Sequence, residues 1–344
     1  MGSLISITTV IAIIFVFGLL VFVHELGHFL TAKFTGMRVD EFAIGFGPKL
    51  ASVKKGETVY SLRVIPLGGF NKIAGMDPDE EQDEKSFYAK SVWSRMLVIV
   101  AGSFMNFVLP VLLLFVVYLS NGLEKVSEQP ILGEILPGKP AAAAGLLAGD
   151  KILTVNGAKI NTWLQFVEVI QKNAAQKISI DFERGGVTKN ASVVPEFDEK
   201  ANRALIGVQA TIETYRPGVL ESAGLAVKQT VFVIGRMLAG LYEMVAGKAE
   251  ADIAGPIGVM KMTGEVARHG LIPLLQFAAF LSINLGLINL FPIPALDGGH
   301  IVVLAIEAVR RKPLNRRYLE IVHTMGFALL IIIMILATFK DITR

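Results

Sequence analysis

Four stretches of the chain are apolar enough, for long enough, to predict helices that cross a hydrocarbon core. Such a core is about 30 Å thick and takes roughly 20 helical residues to span. The stretches are residues 4–23, 96–119, 271–293 and 319–339. A fifth, 218–247, is apolar mainly on one side: Leu225, Val231, Leu238 and Leu241 share a face, while Lys228, Arg236 and Glu243 interrupt the run. That pattern predicts an amphipathic helix lying at the interface. Elsewhere the period shortens. Residues 58–65 alternate, with Tyr60, Leu62 and Val64 on one side, and end in Pro66-Leu67-Gly68-Gly69, so they are expected to form an edge strand. Between the second and third spans, residues 131–136 and 150–155 read as strands. Asn161 is placed to cap a helix carrying Trp163, Phe166, Val167 and Ile170 at i, i+3, i+4 and i+7. Ile178, Ile180 and Phe182 alternate, Arg184-Gly185-Gly186 turns the chain, and Val187, Ala191 and Val193 return.

Composition sharpens this picture. Of the 344 residues 53% are apolar and only 18% charged, and mean hydropathy is +0.56. A soluble domain carries about 25% charge, so the chain is read as a membrane protein. It has no cysteine, which removes disulfides, thiolate nucleophiles and Cys-built metal sites, and a net charge of +3 is too small to suggest nucleic acid as a partner. The first apolar run lacks a basic stretch before it and a small-residue cleavage site after it, so it is expected to be a retained span.

Orientation follows from the basic residues near the span ends. Lys33 and Arg38 follow the first span, Lys85, Lys90 and Arg95 precede the second, and Arg310, Arg311, Lys312, Arg316 and Arg317 crowd the link between the third and fourth. Nothing charged precedes the first span. The links at 24–95 and 298–318 are therefore expected in the cytoplasm, and both termini and the 120–270 segment outside.

The chemistry concentrates at the end of the first span, in His24-Glu25-Leu26-Gly27-His28. Histidines at i and i+4 on a helix point to one side and can grip one cation, and Glu25 stands where it can take a proton from a water at the metal. Two histidines and a glutamate are expensive in a membrane and need such a reason. Catalytic zinc takes three protein ligands and leaves one position open. The strongest third candidate is Asp297, which follows Pro292-Ile293-Pro294 at the end of an apolar span and precedes Gly298-Gly299; its bland alternative is to cap the next helix. Spans one and three run the same way in a four-span chain, which brings their ends to the same leaflet. Asn106, Asn284 and Asn289 are amides inside spans, where hydrogen bonding between helices is the ordinary role.

The order of elements from 127 to 197, with Ala-Ala-Gly-Leu-Leu-Ala-Gly-Asp-Lys-Ile at 143–152, resembles a PDZ domain of the bacterial protease-associated type. With His24-Glu25-Leu26-Gly27-His28 ending span one and Leu296-Asp297-Gly298-Gly299 ending span three, the chain resembles the site-2 protease family. It is most similar to the regulator of sigma-E protease branch. Gly45-Phe46-Gly47-Pro48, Pro66-Leu67-Gly68-Gly69-Phe70 and Asn284-Leu285-Gly286 belong to the resemblance. Gly102-Ser103-Phe104-Met105-Asn106 departs from it, since relatives often begin that motif Gly-Pro.

The resemblance implies a zinc metalloprotease of membrane-spanning substrates, with one Zn2+ on His24, His28 and Asp297 and with Glu25 as general base. It also implies Asn284 and Asn289, and Tyr60, Leu62 and Val64 of a membrane-dipping β-loop, as substrate contacts. The expected fold is a membrane α-helical protein of four transmembrane helices with that β-loop and one inserted extracytoplasmic α+β PDZ domain. Its parts are the first helix (1–35), the β-loop region (36–95), the second helix (96–120), the PDZ domain (127–197), a linker with the interfacial helix (198–270), and the last two helices (271–344). Expected partners are single-pass membrane proteins such as anti-sigma factors, signal-peptide remnants, membrane lipid, and an upstream site-1 protease. The expected location is the inner membrane, with the active site near the cytoplasmic leaflet. A catalytically silent receptor is the other class of reading, and an intact Glu25 beside a full ligand set argues against it.

Overall fold

The structure is a computed structural model that describes residues 6–76, 80, 82–198, 203–248, 255–312, 314 and 316–343. It divides into two compact units, 1–121 with 218–344, and 122–217.

The first unit opens with helix α1 (Ile7–Phe34), capped by Ser6, whose hydroxyl accepts the Thr9 N–H at 3.1 Å. Strands β1 (Val39–Lys55) and β2 (Thr58–Ile73) follow, then helix α2 (Val92–Asn121). Both strands are long because each is two pieces. Left-handed glycines break β1 at Gly45 and Gly47 and β2 at Gly68, and each strand folds back on the other. Residues 49–55 pair with 58–63 as an antiparallel hairpin, from Lys55 opposite Thr58 to Lys49 opposite Arg63. Residues 41–44 lie between Val59–Leu62, running in the same direction, and Gly69–Lys72, running in the opposite one. The order across the sheet is therefore 49–55, 58–63, 41–44, 69–72. This corrects the expectation of a free edge at 58–65: residues 59–62 are paired on both sides, and the free edges are 49–55 and 69–72. Alternation along 58–65 shows that it is a strand and says nothing about its neighbours.

The second unit is an insertion between α2 and the next long helix. It runs β3 (Leu123–Val126), β4 (Leu132–Ile135), α3 (Pro140–Ala143), β5 (Lys151–Val155), β6 (Ala158–Lys159) and α4 (Trp163–Lys172). It continues with β7 (Ile178–Arg184), β8 (Val187–Val193), β9 (Glu196–Asp198), β10 (Arg203–Leu205), β11 (Val208–Ala210) and β12 (Ile212–Tyr215). The central sheet has the order β6-β5-β7-β8. Phe166 and Ile170 of α4 pack with Ile152, Val155, Ile178, Ile180 and Phe182 in one buried core. Thr162, not Asn161, caps α4: its hydroxyl accepts the Gln165 N–H, and the Gln165 side chain accepts the Asn161 N–H in return. The unit is wider than the expected 127–197, because β11 pairs with β4, β12 pairs with β3, and Ile206 joins the core.

The chain returns to the first unit with α5 (Val219–Val245), α6 (Pro256–Arg268), α7 (Leu271–Asn289), α8 (Asp297–Arg310) and α9 (Arg316–Thr343). Ala12, Val16 and Leu20 of α1 meet Leu109 of α2 and Leu274, Ala278 and Leu281 of α7 in a buried cluster. Close approach of α1 and α2 depends on Gly27, where a Cβ would stand 2.3 Å from the Ala101 carbonyl oxygen. Helix α6 lies beside the first half of α1, with Gly264 against Thr9. The Asp341 carboxylate of α9 accepts the Gly255 and Gly258 N–H groups where α6 begins. Among the described residues five helices are long and apolar enough to cross a membrane: 7–34, 92–121, 219–244, 271–289 and 324–343. The third of these is the one expected at the interface.

Candidate metal centre

His24 and His28 sit one turn apart on α1, their rings 4.7 Å apart and nearly perpendicular, with the two Nε2 atoms 3.2 Å apart. Asp297 Oδ2 lies 3.6 Å from each of them. Ligand atoms about 2.1 Å from a tetrahedral zinc stand about 3.4 Å from one another, from the bond lengths and the tetrahedral angle. Edges of 3.2, 3.6 and 3.6 Å match that triangle. Among the described residues this is the one group of three His, Asp or Glu side chains whose ligand atoms come so close.

Asp297 arrives by a sharp return of the chain. Helix α7 stops at Asn289, and residues 290–296 double back, with Ala295 in the left-handed region at φ +78°. A Cβ at Gly298 would stand 2.1 Å from the Phe291 carbonyl oxygen, and one at Gly299 2.5 Å from that of Ile293. Only glycine fits there, which is why the aspartate is followed by two. The capping alternative for Asp297 fails on geometry, since it is the first residue inside α8 and its Oδ2 accepts the Ser103 hydroxyl at 2.9 Å.

One face of α2 surrounds His24, His28 and Asp297. His28 Nδ1–H donates to the Val98 carbonyl at 2.8 Å, which leaves Nε2 with its lone pair for a metal. Gly102 makes room for that ring, since a Cβ would fall 2.1 Å from His28 Nε2. Ser103 holds Asp297, and the buried Asn106 side chain lies against His24, its Nδ2 3.1 Å from Nδ1. Glu25 is held from the other side by Asn71 of β2, whose Nδ2 donates to the Glu25 carbonyl and to its Oε2, each at 2.7 Å.

The structure thus joins His24, His28 and Asp297 and sets Glu25 beside them on α1. Sequence reasoning missed Asn71, Ser103 and the contact of Asn106 with His24. The residues expected at the substrate are more scattered. Asn284 and Asn289 are half-buried on α7 with no side-chain partner among the described residues. Tyr60 packs its ring near Phe29 and Phe42, and Leu62 and Val64 are exposed.

Comparison with known proteins gives this geometry a context. The chain is 35% identical to the regulator of sigma-W protease RasP of Bacillus subtilis, across 98% of this chain and 99% of that protein. It is 34% identical to the zinc metalloprotease RasP of Bacillus licheniformis and 33% identical to that of Geobacillus kaustophilus, each over 98% of this chain and 99% of the relative. Part of the chain aligns with a crystal structure of the PDZ domain of the SdrC-like protein of Listeria monocytogenes. That alignment is 20% identical, covers 26% of this chain and 94% of that one, and has a TM-score of 0.23. The profile of Peptidase family M50 matches residues 12–333, a stretch that holds His24, Glu25, His28 and Asp297. A chain so matched from end to end, with a zinc-sized triangle of ligands at its centre, belongs to peptidase family M50, the zinc metalloproteases of the site-2 type.

Proposed function

We propose that the protein binds one zinc ion through His24 Nε2, His28 Nε2 and Asp297 Oδ2, and cleaves peptide bonds in or near the transmembrane segments of single-pass membrane proteins. The observation that carries this reading is the ligand triangle with Glu25 clamped beside it. A zinc held by these three side chains would supply Lewis acidity, for the scissile carbonyl and for an attacking water near neutral pH. Glu25 accepts the proton of that water and delivers it to the leaving amine nitrogen, and Asn71 keeps its carboxylate in place between the two transfers. Substrates of this chemistry include anti-sigma factors and signal-peptide remnants, with or without prior trimming by a site-1 protease.

A substrate helix must open before it is cut, and in lipid its freed N–H and C=O groups need partners. The free edge at 69–72 supports strand addition there, because Asn71 on that edge touches Glu25. Asn284 and Asn289, half-buried amides on α7, are suited to hold the opened segment, and exposed Leu62 and Val64 to give the β-loop an apolar surface in the membrane.

Four spans are supported by the direction of α7. Its first half packs on the first half of α1 and its end leads to Asp297 beside His24, so the two helices run parallel. With α2 crossing back between them, α7 is parallel to α1 only if α5 does not cross. Helix α6, at 13 residues, is about 20 Å long and too short to span. The basic residues of the 310–317 link support an orientation with the metal near the cytoplasmic leaflet and the inserted PDZ-like unit outside.

The test is metal content and cleavage in purified protein. Wild type should hold about one zinc per chain. His24→Ala and Asp297→Ala should lose it, and Glu25→Gln should keep it while cleaving nothing. Full zinc occupancy in Asp297→Ala would remove Asp297 from the ligand set.

A further inference from the structure

The amide of Asn106 is read from the sequence as ordinary glue between helices, yet its surroundings assign it to the metal. It is fully buried on α2 and aims at His24 Nδ1, not at a neighbouring backbone. His24 meets the other two ligands through Nε2, at 3.2 Å from His28 and 3.6 Å from Asp297. A neutral imidazole that gives its Nε2 lone pair to a metal carries its proton on Nδ1. That Nδ1–H needs an acceptor, because the ring is 13% exposed. The atom now facing it, Asn106 Nδ2, is itself a donor, while Asn106 Oδ1 is buried without a partner. The Gly102 backbone also reaches the His24 ring, but among the described residues nothing pairs with Asn106 Oδ1, and a half-turn about the last bond of the amide exchanges its nitrogen and oxygen.

We propose that Asn106 is a positioning residue for the metal. With zinc bound, its Oδ1 accepts the Nδ1–H of His24 and fixes both the tautomer and the plane of that ring. The other two ligands are already served from the same helix, His28 by the Val98 carbonyl and Asp297 by the Ser103 hydroxyl. Asn106 adds a side-chain acceptor to the Gly102 backbone contact of His24, so that residues 98, 102, 103 and 106 of α2 aim all three ligands while supplying none. Loss of such an outer partner typically costs 10- to 100-fold in metal affinity. The inference rests on the zinc reading of His24, His28 and Asp297, and the experiment separates the two.

Zinc affinity is measured by chelator competition on the full-length protein in detergent, for wild type, Asn106→Leu and Asn106→Asp. Leucine matches the volume and offers no acceptor, whereas aspartate offers an oxygen whichever way it turns. Asn106→Leu should bind zinc about 10- to 100-fold more weakly, and Asn106→Asp at least as tightly as wild type. With cobalt in place of zinc, the visible absorption of the leucine variant should shift while that of the aspartate variant stays close to wild type. Should Asn106→Leu not fold, Asn106→Ser, whose hydroxyl is too short to reach, takes its place. Equal zinc affinity in wild type and the leucine variant overturns the proposal, as does equal weakening in leucine and aspartate variants, the signature of a residue that only packs. Failure of wild type to bind zinc would instead overturn the metal site on which the proposal rests.

Discussion

Asn71 holds Glu25 with a single amide nitrogen, which donates both to the helix carbonyl and to the carboxylate. Its own Oδ1 is buried with no partner, a state that costs about 1–3 kcal/mol and is tolerated where a side chain serves a site. Replacing Asn71 by leucine should release the Glu25 carboxylate without touching a ligand. We expect zinc content to be unchanged and the maximal cleavage rate to fall roughly 100-fold, the scale of a misplaced reacting group. Steady-state cleavage of a model transmembrane substrate beside a zinc assay tests this, and unchanged cleavage would leave Asn71 as mere packing. At this scale the sequence is legible where chemistry repeats locally. His24 and His28 advertise themselves by their spacing, and Asp297 by the prolines and glycines around it. Asn71, Ser103 and Asn106 carry no such mark, because each meets a partner 46 or more positions away in the sequence and its role exists only after the helices meet.

The β-loop shows where pattern reading stops. Alternation identifies residues 58–65 as a strand, but strand order depends on the left-handed glycines at 45, 47 and 68, which fold two strands into four. Pairing on both sides of 59–62 moves the free edge to 69–72. Since the chain has no cysteine, single cysteines can be placed at will. With Glu25→Gln to stop turnover, Phe70→Cys and Lys72→Cys should form disulfides with cysteines near the cleavage point of a substrate helix. Leu62→Cys should do so far less. Stronger cross-linking at Leu62 would argue that the substrate lies on the face of the sheet instead of its edge. Helix α5 poses the opposite case. Length and hydropathy alone rank it with the spans. Its buried residues, however, are Ser222, Ala226 and Thr230 in the first half, and Arg236 and Tyr242 of the second half are exposed.

For the whole molecule, the four-span arrangement makes a prediction of sidedness. Cysteines introduced at Asn173 and Lys340 should react with an impermeant reagent on intact cells, and those at Lys55 and Lys312 only after permeabilisation. Labelling of Lys312→Cys from outside would overturn the arrangement and the orientation of the metal centre with it. The inserted unit has its own acid sensitivity. Burial alone would raise the Asp150 carboxyl, but the Arg184 guanidinium at 2.7 Å and the Leu147 N–H outweigh it and hold the group below its ordinary 3.8. A carboxylate depressed in the folded state stabilises at pH above its unfolded value, and that contribution disappears as pH falls through the folded value. Asp150→Asn should therefore lower thermal stability of the unit at neutral pH and flatten its loss below pH 3.8. Parallel acid profiles for the two proteins would count against the pair. The unit's outer limit was illegible in the sequence, because β10, β11 and β12 are three or four residues each and carry no periodicity to read.

The two halves of the metal centre are separated by most of the polypeptide, His24 and His28 near its start and Asp297 in its last sixth. A ribosome delivers the histidines to the membrane first and releases the aspartate only after α1, α2 and the inserted unit have emerged. A nascent chain therefore carries an incomplete site until residue 297 has been made. The proposed site is complete only once α7 packs against α1 and the turn before α8 brings Asp297 beside His24. Late completion would keep the protease silent toward its neighbours until its fold is whole.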